Sequence, residues 1–469
     1  MPDLVRQVYS RKPIDRHDRN GRNHSIRQTP PARFIRHDSL GMKRGFYTIM
    51  AAQFFSSLAD NALLIAAMAL LAEAHSPEWM VPLLKLFFTI SYVMLAPFVG
   101  AFADSMPKGR VMFVTNAVKI FGCALLFWTI HPLLAYAVVG FGAAAYSPAK
   151  YGILTELLPP EKLVAANGWI EGTTVASIIL GTLLGGALIA PRLSAALLAI
   201  DMPLMDTGIT SPAEAAIAAI AVIYLLAALV NLRIPDTGAR YPHQQHNPLK
   251  LVREFIHCNI ALWRDKLGQV SLAVTTLFWG AGATLQFIVL KWAQIHLGLR
   301  LDQAAVLQGI VALGVAIGAT GAASALPLRH SLRVLPCGVA MGLMVPLMTV
   351  TSSIPVAYSM LVIIGALAGF FVVPMNALLQ HRGYVLMSAG HSIAVQNFNE
   401  NLNILLMLSI YALLLRFDLH INTIVVMFGL TVAGAMLLVM RRHRANQRIF
   451  DSEALIGKPL EPVPGSIKP

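Results

Sequence analysis

Runs of about twenty apolar residues, separated by short polar stretches, recur along the chain. Because about 20 helical residues cross about 30 Å of hydrocarbon, each run is long enough to span a membrane. Hydropathy windows of about 19 residues predict twelve spans, near residues 46–71, 80–103, 111–130, 133–155, 167–190, 214–232, 270–292, 303–325, 333–350, 355–379, 388–414 and 420–440. The pattern therefore predicts an all-α polytopic membrane protein.

The polar stretches divide the chain into bundles and connections. The longest internal one, residues 233–266, follows the sixth predicted span and predicts a cytoplasmic linker between two six-helix bundles. The bundles are expected at residues 42–232 and 267–440, and a cytoplasmic tail at 441–469.

Residues 1–41 form a polar extension rich in Arg, His and Pro. The extension has no apolar core of a secretory signal, and its composition predicts disorder. Met42, followed by two basic residues and the first apolar run, resembles a natural start. We therefore expect residues 1–41 to reflect a mis-annotated start.

Composition narrows the class of protein. The chain is 56% hydrophobic and 13% charged, with a formal net charge of +13. Its basic residues fall mostly in alternate short loops, which indicates that these loops and both termini lie in the cytoplasm, beside anionic lipid. Basic residues interleaved with aromatic residues on one face are absent from the sequence, which excludes a nucleic-acid-binding surface. The sequence contains no phosphate-binding loop, GxSxG or HExxH motif, and the three cysteines are far apart. No enzymatic activity, metal or cofactor is expected.

Charged residues inside the spans are the candidate functional residues. Asp60 and Asn61 lie in span one, Lys150 in span four, Glu171 in span five and Glu400 in span eleven. A charge inside a membrane is costly unless it is paired or faces an internal cavity, so these residues predict a polar path. The alternative is that the polar side chains only hold neighbouring helices together. Lys119 in span three is instead expected to snorkel toward the inner membrane surface.

The two predicted bundles repeat a short pattern. Pro148 precedes Lys150 by two residues in span four, and Pro374 precedes Asn376 by two residues in span ten. Spans five and eleven also carry matching polar segments, ANGWIEG and AVQNFNEN. Parallel repeats of this kind place a substrate site between the two halves, near the middle of the membrane.

The loop between spans two and three, GAFADSMPKGR, resembles the loop signature of the major facilitator superfamily. The resemblance implies that Asp104, Lys108 and Arg110 brace the closed cytoplasmic side during gating. Pro107 stands where that signature has glycine, so the local turn is expected to differ.

Six further blocks, between Met42 and Met440, are similar to the bacterial lysophospholipid transporter family. They are AQFFSSLADNALL, APFVGAFADS, GAAAYSPAKYGILTEL, TLFWGAGATL, GFFVVPMNALLQ and AVQNFNEN. The resemblance implies flipping of lysophospholipids, chiefly lysophosphatidylethanolamine, across the inner membrane of Gram-negative bacteria. An acyltransferase/acyl-carrier-protein synthetase would then re-acylate the lipid on the cytoplasmic side. Gln286 departs from the family, in which some members have a basic residue.

The expected site matches a zwitterionic headgroup. Asp60 would attract the ammonium, while Lys150, Gln286 and Asn376 would hold the phosphate and glycerol oxygens. Asn61, Glu171 and Glu400 would complete the polar lining. Without substrate, Asp60 and Lys150 are expected to pair with each other.

A monomer that transports without proton coupling is favoured, and two alternatives stay open. One is a proton-driven exporter of hydrophobic drugs. The other is a non-transporting membrane scaffold for an acyltransferase.

Overall fold

The computed structural model describes residues 39–76, 80–127, 131–199, 209–241, 247–299, 301–417, 419–449 and 451–456. The predicted extension up to residue 38 and the last part of the predicted tail, residues 457–469, lie outside the described residues. Within the described part of the chain, twelve helices are long and apolar enough to cross a membrane, which confirms the predicted span count.

The spanning helices, numbered in chain order, are α1 Ser39–Glu73, α2 Met80–Asp104, α3 Lys108–Phe127, α4 Pro132–Leu157, α5 Leu163–Ile189, α6 Pro212–Asn231, α7 Gly268–His296, α8 Leu301–Ala325, α9 Leu335–Met344, α10 Ile354–Leu386, α11 Ala389–Arg416 and α12 Ile421–Ile449. Short 3-10 turns, Leu328–Val334 and Val345–Val350, lengthen α9 at both ends. Helices α1–α6 are called the first half, and α7–α12 the second half.

Two additional α-helices among the described residues do not span. One is the short helix Pro191–Leu198, and the other is Pro248–Arg264, called the linker helix because it lies between the halves along the chain. Residues 233–266 were predicted to be a linker, and the helix within them was not expected. Asn247 caps the linker helix by accepting a hydrogen bond from the backbone N–H of Leu249 (3.0 Å), and Pro248 occupies the first helical position, where its missing N–H costs nothing.

Small residues allow two helices of the second half to touch. A methyl group at Gly314 of α8 would collide with the backbone of α10, and one at Gly365 of α10 would collide with the backbone of α8. Close backbone approach of this kind is a principal way to pack helices in lipid, where burial of apolar surface provides no driving force between helices.

Among the described residues, the apolar cores of the two halves merge toward one end of the molecule. One buried cluster lies entirely in the first half, around Leu63 and Tyr136, and another entirely in the second half, around Trp292 and Leu361. A third cluster combines residues of both halves, including Ile153 of α4. We call this joined region the closed end, and it lies where α1 begins and α12 ends. At the opposite end, each half keeps its own core.

Candidate functional site

A buried ion pair lies inside the first half, between α1 and α3. The Nζ atom of Lys119 is 2.8 and 2.9 Å from the two carboxylate oxygens of Asp60, and the hydroxyl of Tyr224 on α6 donates to the same carboxylate (2.7 Å). Lys119 also donates to the hydroxyl of Ser56 (3.0 Å), which itself donates to the side chain of Asn116 (2.8 Å). This network ties three helices of the first half together.

The predicted pair between Asp60 and Lys150 is therefore wrong, because Asp60 pairs with Lys119. The expectation that Lys119 snorkels toward the membrane surface is also wrong, since its side chain is only 1% exposed. The ammonium turns inward because the carboxylate neutralises it and the rings of Tyr146 and Tyr224 lie 4.9 and 5.4 Å away. Cation–π contacts of this kind favour a desolvated ammonium.

Lys150 is left as a cation without an anion in direct contact. Its Nζ atom lies 4.6 Å from the centre of the Tyr151 ring, and it forms no ion pair with any residue that the structure describes. Glu171 on α5 interacts with it electrostatically, without an ion pair between them. The half-buried ammonium is thus available to an anionic ligand.

A chain of polar side chains connects this region to the second half. Asn376 on α10 donates to Glu171 (3.4 Å), Gln396 on α11 donates to Asn376 (3.1 Å), and Gln396 also donates to Glu400 (2.8 Å). Glu171, Asn376 and Glu400 are at most 6% exposed. The structure thus brings these three predicted site residues together, next to Lys150.

The other two predicted substrate residues lie apart from this chain. Asn61 donates to the backbone carbonyl of Ser57 on its own helix (2.8 Å). Gln286 lies at the rim of an apolar cavity of about 100 Å³ within the second half, and its backbone carbonyl accepts a hydrogen bond from Gln308 (2.8 Å). Substrate binding by both residues stays a prediction.

The predicted gating aspartate joins the two halves at the closed end. Asp104 lies 2.5 Å from Lys108 and accepts a hydrogen bond from the backbone N–H of Gly390 (3.1 Å). The Nδ1 atom of His391 lies 3.1 Å from its second oxygen, which also accepts from Ser388. Gly390 and His391 lie in the first turn of α11, and Ser388 caps that helix. Asp104 therefore links α2 to the start of α11.

Lys108 also contacts a second acidic residue, whereas Arg110 is exposed. Lys108 lies 3.4 Å from Glu156 at the end of α4, and Tyr241 donates to Glu156 (2.8 Å). Burial, and then the charge of Glu156, raise the pKa of Tyr241, so its hydroxyl remains a donor. Arg110 is exposed at the closed end, and its gating role stays a prediction.

Several contacts at this end were not predicted from the sequence. Asn167 and Gln380 exchange two amide hydrogen bonds of 2.9 Å between α5 and α10. Arg382 forms a bidentate pair with Asp265, at 2.7 and 3.1 Å. The only available signal was the presence of polar residues near the ends of predicted spans. No group of His, Cys, Asp or Glu within the described ranges is placed to hold a metal.

Comparison with known proteins identifies a family model and similar relatives. The model described as Major Facilitator Superfamily matches residues 49–402. A protein of Yersinia enterocolitica named lysophospholipid transporter LplT is 42% identical over 377 residues, covering 80% of this chain and 88% of the relative. An Escherichia coli protein of the same name is 41% identical over 405 residues, covering 85% and 97%.

Solved structures agree in fold. The human organic anion transporter MFSD10 superposes with a TM-score of 0.64 at 16% identity, covering 86% of this chain and 99% of that structure. A bacterial homologue of the iron transporter ferroportin, in an outward-facing state, gives the same TM-score and identity and covers 86% and 100%. At this identity the likeness concerns the fold alone. It confirms the predicted class of twelve helices in two bundles.

Proposed function

Because the chain belongs to the lysophospholipid transporter family of the major facilitator superfamily, we propose that it moves lysophospholipids, chiefly lysophosphatidylethanolamine, across the bacterial inner membrane. It is a transporter rather than an enzyme. The proposal rests on one observation above all. Lys150 is a half-buried cation between the two halves with no ion-pair partner among the described residues, beside a buried chain of acidic and amide groups.

The charges suit a headgroup that carries a phosphate and an ammonium. Lys150 binds the phosphate, because it is the available cation, and Asn376 donates to the phosphate or glycerol oxygens. Glu171 attracts the ammonium, with Glu400 one step further along the same hydrogen-bonded chain. Binding a zwitterion between two opposite charges satisfies both without leaving a net charge in the membrane.

Asp60 has a different part in this proposal from the one the sequence suggested. Its carboxylate is held by Lys119 and Tyr224, but 21% of the side chain remains exposed. It contributes a fixed negative potential to the first half and fixes α1 against α3. Asn61 and Gln286 line the rest of the transport path, where the glycerol and the acyl chain of the lipid pass.

The contacts at the closed end support alternating access. With both termini in the cytoplasm, the closed end is the cytoplasmic side, and a lysophospholipid enters from the opposite side. Rocking of one half against the other then breaks the contacts of Asp104 with α11 and the amide pair of Asn167 with Gln380. The lipid is released toward the cytoplasm, where an acyltransferase re-acylates it. Consumption of the product makes a monomeric transporter without proton coupling sufficient.

Transport in liposomes tests this function. Purified protein is reconstituted, and movement of labelled lysophosphatidylethanolamine between leaflets is compared with that of diacyl phosphatidylethanolamine, with and without a proton gradient. We expect protein-dependent movement of the lysolipid alone, unaffected by the gradient. No movement above protein-free liposomes would contradict transport and favour a scaffold. Movement that a gradient drives would instead establish proton coupling, for which the buried Glu171 and Glu400 are the candidate carriers.

A further inference from the structure

The linker helix presents an apolar stripe to its surroundings rather than to the protein. Leu249, Ile256, Ile260 and Trp263 are 82%, 49%, 40% and 39% exposed. They follow one another by seven, four and three residues, so at 3.6 residues per turn they share one side of the helix. An exposed apolar stripe is costly in water, which indicates a different medium on this side.

The opposite side of the linker helix is fixed to both halves. Phe255 is 5% exposed, and its ring lies 5.3 Å from that of Phe398 on α11. Phe255 and Leu262 belong to a buried cluster that also contains Val99 of α2 and Leu272 of α7. At the edge of the stripe, the indole N–H of Trp263 donates to Asn399 of α11 (3.1 Å). The helix therefore covers the seam between α2 and α11.

The contacts with α11 indicate that the last turns of the linker helix lie at the level of the membrane rather than beyond it. Asn399 lies ten residues beyond Ala389, the start of α11, and at 1.5 Å per residue this is about 15 Å along the helix. All 28 residues of α11 extend about 42 Å, close to the thickness of a bilayer with its headgroups. A segment that packs about 15 Å inside this length lies beside lipid rather than beyond it.

Basic residues border the apolar stripe. Lys250, Arg253 and Arg264 are exposed, and none of them forms an ion pair with a described residue. Arg253 follows Leu249 by one turn, and Arg264 follows Ile260 by one turn, so both lie next to the stripe. An apolar stripe flanked by free cations is the pattern of a helix that lies at the lipid–water boundary.

We propose that the linker helix lies in the membrane interface and binds the headgroups of anionic phospholipids through Lys250, Arg253 and Arg264. The stripe inserts among the acyl chains, as far as Trp263. A groove between the linker helix, α7 and α12 is lined by Trp263, Val270 and Arg442. Arg442 provides a further cation beside the acyl chains. Since the linker helix contacts α2 and α11 together, bound anionic lipid stabilises the closed end.

Depth measurements test the placement. In the full chain with Cys123, Cys258 and Cys337 replaced by alanine, a nitroxide label is attached at position 256 or, as the matched control, at its exposed neighbour 257. The reconstituted membranes contain phosphatidylethanolamine and phosphatidylglycerol. We expect the label at 256 to collide mainly with oxygen and that at 257 mainly with a water-soluble nickel chelate. Equal access of nickel to both labels would overturn the placement, and would fit a helix that is free in water or docks a soluble protein.

Lipid retention tests the headgroup site without any label. Phosphatidylglycerol bound to the purified chain is measured by native mass spectrometry for the unaltered protein, for Lys250→Gln/Arg253→Gln/Arg264→Gln, and for the control Arg329→Gln/Arg333→Gln. Each cation near an anionic surface strengthens lipid binding about fivefold, so removal of all three should weaken the binding of phosphatidylglycerol about a hundredfold. Retention equal to the unaltered protein, or an equal loss in the control, would overturn the proposal.

Discussion

Removal of the Asp60 carboxylate would leave a buried ammonium without its counter-ion. Lys119 is 1% exposed, and its remaining neighbours in Asp60→Asn would be a neutral amide oxygen, one hydroxyl and two aromatic rings. Loss of one partner of a buried pair costs about 3–5 kcal/mol. Because 21% of the Asp60 side chain is exposed, we expect Asp60→Asn to lower the free energy of unfolding by about 3 kcal/mol, at the lower end of that range.

A double-mutant cycle separates the ion pair from packing. Lys119→Met removes the charge and keeps an unbranched side chain, so Asp60→Asn/Lys119→Met leaves no buried charge at this position. We expect the double variant to lose about 2 kcal/mol less than the sum of the single variants, a coupling typical of contacting residues. The free energies of unfolding are measured by detergent titration in mixed micelles. Additive losses, or single losses below about 1 kcal/mol, would refute the pairing of Asp60 with Lys119.

Two further predictions concern the closed end. A Cβ atom at Gly168 would lie 2.5 Å from that of Ala323 on α8, whereas one at Gly186, further along α5, would meet no atom within 4 Å. Gly168→Val should therefore prevent closure and slow lysolipid uptake about tenfold or more. The control Gly186→Val should leave the uptake rate near that of the wild type. Equal rates for the two variants would contradict the contact between α5 and α8. Arg382→Gln removes two charge-assisted hydrogen bonds to Asp265 and should lower the free energy of unfolding by about 1.5–3 kcal/mol. The same detergent titration measures this loss. An unchanged free energy of unfolding would contradict a stabilising role of these hydrogen bonds.

The spans and the identities of the membrane charges were predictable, but the pairing of those charges was not. Apolar length alone predicts twelve crossings, because lipid tolerates little else. It does not say which of Lys119 and Lys150 faces Asp60, since that depends on how α3 and α4 pack against α1. A long lysine side chain can extend toward either end of its helix, so its direction depends on the nearest anion.

The closed end illustrates the same limit. The loop signature identified Asp104, but its partners Gly390 and His391 are 286 and 287 residues away along the chain. No local pattern predicts contacts of that separation. The linker helix differs, because its stripe of four apolar residues has helical spacing and was present in the sequence. The high charge of the surrounding residues 233–266 led to its interpretation as a connection only.

Binding of the lipid phosphate by Lys150 can be measured through transport rates. Initial rates of lysophosphatidylethanolamine movement are compared in liposomes for Lys150→Gln and for Lys162→Gln, the same change at an exposed lysine of the closed end. Loss of a buried charged contact to a ligand costs about 2–5 kcal/mol, so Lys150→Gln should reduce the rate about 30-fold or more, while Lys162→Gln retains it. Equal rates for the two variants would contradict the account.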